Sequence, residues 1–172
     1  MPESADRPRV VIWPPLLPLF AILLGFGLDR LIPLGLLEQI PGGIRSVVAL
    51  MLFAVAGYLG IAGIRGFLRT GNPVETWKPA ATLVADGIYA RARNPMYLAL
   101  GLGTLGLAIT NASDWTVLML VPAALVLHFG VVLQEERHLE GKFGEAYRRY
   151  KAAVPRYGLR LRADGRPSEP TG

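Results

Sequence analysis

The chain has 172 residues, with 18 Lys and Arg against 13 Asp and Glu, and no cysteine, which excludes a disulfide scaffold. Apolar residues make up 52% and charged residues only 18%, and the mean hydropathy is +0.37; this excludes a disordered chain and is unusual for a domain whose whole surface meets water. The net charge of +5 would point to nucleic acid only if the basic residues formed one face of a soluble fold, so their placement decides the class.

Four uncharged stretches follow in chain order, at 10–28, 46–64, 96–113 and 115–133. Each approaches the roughly 20 helical residues needed to cross a hydrocarbon core about 30 Å thick, where one charge at mid-span costs about 2.5–3.5 kcal/mol. The expected fold is therefore an all-α integral membrane protein with four transmembrane helices. A soluble bundle would show polar faces at helical period, which these runs lack. Pro14, Pro15 and Pro18 crowd the start of the first run, where proline is tolerated. Arg7 and Arg9 precede it as in a signal peptide, but no small-residue cleavage site follows and Asp29-Arg30 leads into more apolar sequence, so it reads as a retained span.

All of the basic residues except Arg30 and Arg45 lie before the first span, between the second and third, or after the fourth. The positive-inside rule then places both termini and the middle segment in the cytoplasm, and the expected location is a bacterial inner membrane with the active side facing the cytoplasm. Anionic lipid accounts for the basic charge, and no nucleic-acid partner is expected.

Gly57, Gly60, Gly63 and Gly66 line the second span at a spacing of three, which predicts a groove for close helix packing. Gly101, Gly103 and Gly106 match a dinucleotide-binding fingerprint letter for letter, but no strand precedes them, so they too read as helix packing. The segment 70–87, punctuated by Gly71, Pro73 and Pro79, is expected to form a lid. Trp13, Trp77 and Trp115 read as interfacial anchors, and His128 as a structural hydrogen-bond partner inside the fourth span. Apolar positions from Leu139 to Val154, with basic residues between them, predict an amphipathic surface helix over 134–154 and a disordered tail over 158–172.

Polar residues gather at the cytoplasmic boundary. Asn94-Pro95 reads as an N-cap followed by proline at the first helical position, with Arg93 just outside. A short connection makes the third and fourth spans antiparallel neighbours, so Arg93, Asn94 and Tyr97 can converge with Glu135 and Glu136. Consecutive glutamates point about 100° apart on a helix, so one can face the bundle while the other pairs with arginine. The same spacing suits a boundary salt bridge that merely positions two helices.

Gly87-Ile88-Tyr89, Arg93-Asn94-Pro95-Met96-Tyr97-Leu98, Glu135-Glu136, Phe143-Gly144, Tyr147, Tyr150 and Val154-Pro155-Arg156 together resemble the isoprenylcysteine carboxyl methyltransferase and phospholipid methyltransferase superfamily. The resemblance runs from about 79 to 156. Relatives of the prenylcysteine enzymes often carry His at the position of Asn94 and Gly at that of Ala99. The resemblance implies a single-domain membrane enzyme, expected to be a monomer, that uses S-adenosylmethionine and no metal. It implies cofactor binding by Tyr89, Arg93, Asn94, Tyr97, Glu135 and Glu136, with Arg93 and Glu135 catalytic. The acceptor would be a lipophilic carboxylate or, alternatively, a phosphatidylethanolamine-type amine. A small four-helix transporter is the alternative of another class, with His128 as its one intramembrane ionisable residue.

Overall fold

A computed structural model describes residues 13–71 and 82–158, and these are all helix, turn and connection with no strand. Six α-helices follow in order: α1 Leu16–Leu31, α2 Gly42–Arg69, α3 Pro95–Thr110, α4 Asp114–Leu127, α5 Leu133–Phe143 and α6 Glu145–Ala153. Short 3-10 turns lie at Leu37–Gln39 and Gly87–Ala90, and a π-helical stretch, His128–Val132, joins α4 to α5.

Among the described residues, two helices are long and apolar enough to cross a membrane. One is α2, and the other is the continuous rod Asp114–Phe143 formed by α4, the π-helical stretch and α5; each holds an 18-residue window with a mean hydropathy of 2.4. Only 22% and 17% of their apolar windows are buried within the protein. A soluble core helix would bury that surface, whereas here Leu50, Met51, Val121 and Phe129 point outward, each at least 60% exposed. At 1.5 Å per residue α2 is about 42 Å long, but the apolar α3 is only about 24 Å, short of the hydrocarbon thickness.

The packing order is α2 on α3, α3 on α4 and α4 on α1. Small residues set these approaches. A Cβ on Gly63 would lie 2.6 Å from Met96 Cγ, one on Gly66 would lie 3.0 Å from the Tyr89 ring, and one on Gly60 would touch Ala99. Gly57 meets nothing, so three of the four glycines form the predicted groove and the fourth has drifted off the face. Gly106 packs under Phe53, as a helix-packing glycine should. The closest approach is one the sequence pattern did not reveal: a Cβ on Gly25 would fall 2.5 Å from the Thr116 Cα, so α1 and α4 cross backbone to backbone.

The helix limits depart from the uncharged runs. The run 46–64 extends to Gly42–Arg69 because Arg45, Arg65 and Arg69 end the apolar stretch but not the backbone hydrogen bonding. The helix within 10–28 starts only at Leu16, after Pro14 and Pro15, and reaches Leu31. The run 96–113 shortens to Pro95–Thr110, ending where Asn111 and Ala112 turn, the latter with φ 51. The separation expected between a span at 115–133 and a surface helix at 134–154 is absent, since the rod runs through Glu135 and Glu136 to Phe143. Gly144, with φ 55, makes the break, and α6 starts beyond it. Most of the expected lid (72–81), with Trp77, and nearly all of the tail (159–172) lie outside the described residues, as does 10–12.

Candidate functional site

At one end of the bundle, the short turn between α3 and α4 makes them antiparallel and brings the start of α3 beside α5. Pro95 occupies the first turn of α3, where a missing N–H costs nothing. Asn94 precedes it, but its side chain does not cap the helix. Its Nδ2 instead donates to the Arg156 carbonyl at 3.3 Å. The backbone N–H groups of Arg93 and Asn94 donate to the carbonyls of Pro155 and Arg156 at 3.0 and 3.2 Å. The chain leaving α6 is thereby strapped across the entry to α3.

This strap brings in a second arginine. Arg156 donates from Nε and Nη2 to Glu136 at 2.7 and 2.8 Å, a two-pronged pair, while Arg93 Nη1 lies 2.9 Å from the same carboxylate. The side chains of Arg93 and Glu136 are only 8% and 5% exposed, so a carboxylate left alone there would be costly. The hydrogen bond to Glu136 raises the Arg156 pKa further and fixes it as a cation. Arg93 is not saturated: its approach to Glu136 is a charge contact outside hydrogen-bond geometry, and its buried Nε has no hydrogen-bond partner. The Tyr147 hydroxyl lies beside this cluster, pushed up to about 12 by burial and then by Glu136, and so stays protonated.

One residue earlier on α5, Glu135 faces a different neighbour. The Tyr97 hydroxyl donates to its Oε1 at 2.6 Å. Tyr97 also lines a cavity of about 510 Å³ between α1, α3 and α4, with Leu105, Ala124 and His128 among its mostly apolar walls. Tyr157 stands at the same cavity, its hydroxyl 2.8 Å from His128 Nδ1. His128 has the hydrogen bond expected of it, and its partner comes from the strap.

Of the six residues singled out from the sequence, Arg93, Asn94, Tyr97, Glu135 and Glu136 come together. Tyr89 lies beside them, its hydroxyl within electrostatic reach of Glu135 and Tyr97. Its ring packs on Gly63, Gly66 and Phe67, and its carbonyl accepts from Tyr150 at 2.8 Å, so it holds the 87–90 turn against α2 and α6. Sequence reasoning left Arg156 and Tyr157 out of the site. Pro155 marks the end of α6, but nothing local signals that the next residue returns to α3.

One buried and one partly exposed arginine and a pair of glutamates, set beside an apolar cavity at the end of helices long enough to cross a membrane, define a helical membrane protein with a polar cluster at one end. The chain belongs to the phospholipid methyltransferase family, whose profile matches residues 44–146, within the superfamily that also holds the isoprenylcysteine carboxyl methyltransferases. It is a membrane methyltransferase of a lipid-modifying family. No curated protein and no solved structure matches the chain. The matched region holds Arg93, Asn94, Tyr97, Glu135 and Glu136 and stops short of Arg156.

Proposed function

We propose that the chain transfers a methyl group from S-adenosylmethionine to the amine of a lipid headgroup at the cytoplasmic membrane boundary. The observation that carries this reading is the distribution of charge around the α1–α3–α4 cavity. Arg93 and Arg156 both lie against Glu136, whereas Glu135 accepts the hydroxyl of Tyr97, a residue of the cavity wall, so a carboxylate without a guanidinium against it among the described residues stands behind that wall. An ammonium acceptor is attracted there, while a carboxylate acceptor of the prenylcysteine type meets like charge.

The residues fit the donor. The unpartnered Nε of buried Arg93 suits a carboxylate, and Glu136, itself held by Arg156, keeps that guanidinium in place. When bound, S-adenosylmethionine supplies an electrophilic methyl group on a sulfonium. Glu135 takes the proton from the acceptor ammonium and frees the nitrogen lone pair for attack. Tyr97 aims that carboxylate, and the apolar walls keep the lipid tail aligned and water out. Alignment of two bound reactants contributes about 7–11 kcal/mol of barrier reduction. Asn94 and Tyr89 act as positioning residues, the first on the strap and the second on the 87–90 turn.

Two measurements on detergent-purified protein test the reading. S-adenosylhomocysteine is expected to bind with micromolar affinity by calorimetry and to weaken at least tenfold in Arg93→Ala; absence of binding to folded wild type removes the donor assignment. With methyl-labelled donor, an aminophospholipid is expected to acquire a base-stable label. A base-labile methyl ester on a prenylated carboxylate instead would reverse the choice of acceptor.

We also read α1 to α4 as four spans with the Arg93–Glu136 end in the cytoplasm. Because the sequence lacks cysteine, single substitutions give clean labelling. Gln39→Cys is expected to react with an impermeant maleimide on intact cells, and Gly158→Cys only after lysis; the reverse pattern inverts the topology.

A further inference from the structure

A second cavity, of about 740 Å³, lies on a different face of α2 and shares no residue with the one described above. One wall is a stripe at helical spacing: Tyr58, Ile61, Arg65 and Arg69 recur every three or four residues. The other wall is the 87–90 turn, which contributes Ile88 and is followed by Arg91. The two walls differ along the helix. The end toward mid-membrane is apolar and exposed, with Tyr58 63% and Ile61 55% accessible, and the other end carries three guanidinium groups.

Among the described residues, these arginines have one weak anionic contact between them. Arg69 Nη2 is 3.8 Å from Asp86, a loose contact between side chains that are each more than 60% exposed, and such contacts contribute little. Arg65 and Arg91 have no carboxylate partner among the described residues. Gly87 shapes the floor: with φ 57 it turns the chain, and a Cβ there would lie 2.9 Å from Arg69 Nη2, so the missing side chain lets that guanidinium lie over the turn.

The dimensions match one kind of molecule. From Tyr58 to Arg69 the helix rises about 16 Å, enough to run from the headgroup layer well into the acyl region. A ligand with a phosphodiester at one end and an acyl chain below it meets guanidinium first and hydrocarbon next, in the order that the stripe presents them.

We propose that this groove binds an anionic phospholipid as a resident lipid, its phosphate held by Arg65, Arg69 and Arg91 and one acyl chain lying along Tyr58 and Ile61. The bound lipid is not the methyl acceptor, because no residue of the Glu135–Glu136 site lines the groove; the proposal holds whichever acceptor is methylated.

Native mass spectrometry of the full chain released from mixed vesicles of phosphatidylglycerol and phosphatidylcholine tests it. Wild type is expected to retain phosphatidylglycerol over phosphatidylcholine by roughly tenfold or more, as three surface arginines allow. The double variant Arg65→Gln with Arg91→Gln is expected to lose that preference while eluting as a monodisperse, helical protein. Ile61→Asn, which leaves the arginines in place, is expected to lower retention of both lipids at this site. Millimolar inorganic phosphate is expected to leave the lipid bound. Equal retention of the two lipids by wild type, or an unchanged preference in the double variant, overturns the proposal. Normal retention in Ile61→Asn overturns the acyl contact, and displacement by free phosphate would make the ligand a soluble phosphate compound instead.

Discussion

The two ends of the bundle both bury carboxylates, and they treat them differently. At the end where α1 meets α4, Asp114 is 6% exposed and accepts the backbone N–H groups of Leu36 and Leu37 at 2.8 and 3.0 Å. Asp29 accepts from the Ser113 hydroxyl and from the Trp115 N–H, and the Trp115 indole donates to the Ile32 carbonyl at 2.7 Å. Every donor to these two carboxylates is neutral, a backbone N–H or a hydroxyl at a turn or helix start. At the opposite end the donors are guanidinium groups and a phenol, and two nitrogens of Arg93, Nε and Nη1, have no hydrogen-bond partner. Burial of a carboxylate therefore does not distinguish scaffold from site. The distinction lies in whether the donors have capacity to spare for another molecule.

The largest expected effect comes from removing the acid shared by both arginines. Glu136→Ala leaves two guanidinium groups facing each other in a largely buried place, and breaking such a pair costs about 3–5 kcal/mol. Folded yield in detergent should collapse. Glu136→Gln keeps the shape and should fold, with methyl transfer from labelled donor down at least a hundredfold; near-normal activity would mean that this end is scaffold too.

Asp114→Ala probes the other side of the comparison. It strands two N–H groups at a cost of about 1–3 kcal/mol, so the melting temperature in detergent should fall while turnover per folded molecule stays constant. A drop in turnover at unchanged stability would erase the contrast between the ends. The smallest effect is expected for Tyr97→Phe. Loss of one hydrogen bond to Glu135 should reduce kcat/KM about tenfold, corresponding to about 1.4 kcal/mol, with stability unchanged within error.

Much of this contrast was legible in the sequence, for a physical reason. A short polar connection between two apolar runs allows only antiparallel neighbours, and from that alone Arg93, Asn94 and Tyr97 had to approach Glu135 and Glu136. The division of labour within the glutamate pair also followed from the 100° step, although which residue took which role did not. The uncharged runs did not mark the helix limits, because a charge ends an apolar stretch and not a helix. Arg65 and Glu135 mark the edge of apolar sequence, while the hydrogen-bond ladder continues until Thr70 or Gly144 interrupts it. Arg156 and Tyr157 were invisible as site residues because their partners lie 20 and 29 residues earlier in sequence, across a helix break. Tyr89, a conspicuous aromatic beside a polar cluster, also fills the space left by two glycines, which the sequence did not reveal.

The π-helical stretch His128–Val132 bears on how this chain can change over evolutionary time. A wide turn accommodates about one more residue than an α-helical turn, and each residue carries the following face round by about 100°. A one-residue deletion within that stretch would leave hydropathy, length and lipid-facing surface almost untouched. It would nevertheless swing Glu135 and Glu136 away from Tyr97 and Arg93. Insertions and deletions that pass unnoticed in the loops, or near the ends of the long helices, would at these five positions break the cluster, whose register is written in a count of residues as much as in their identity.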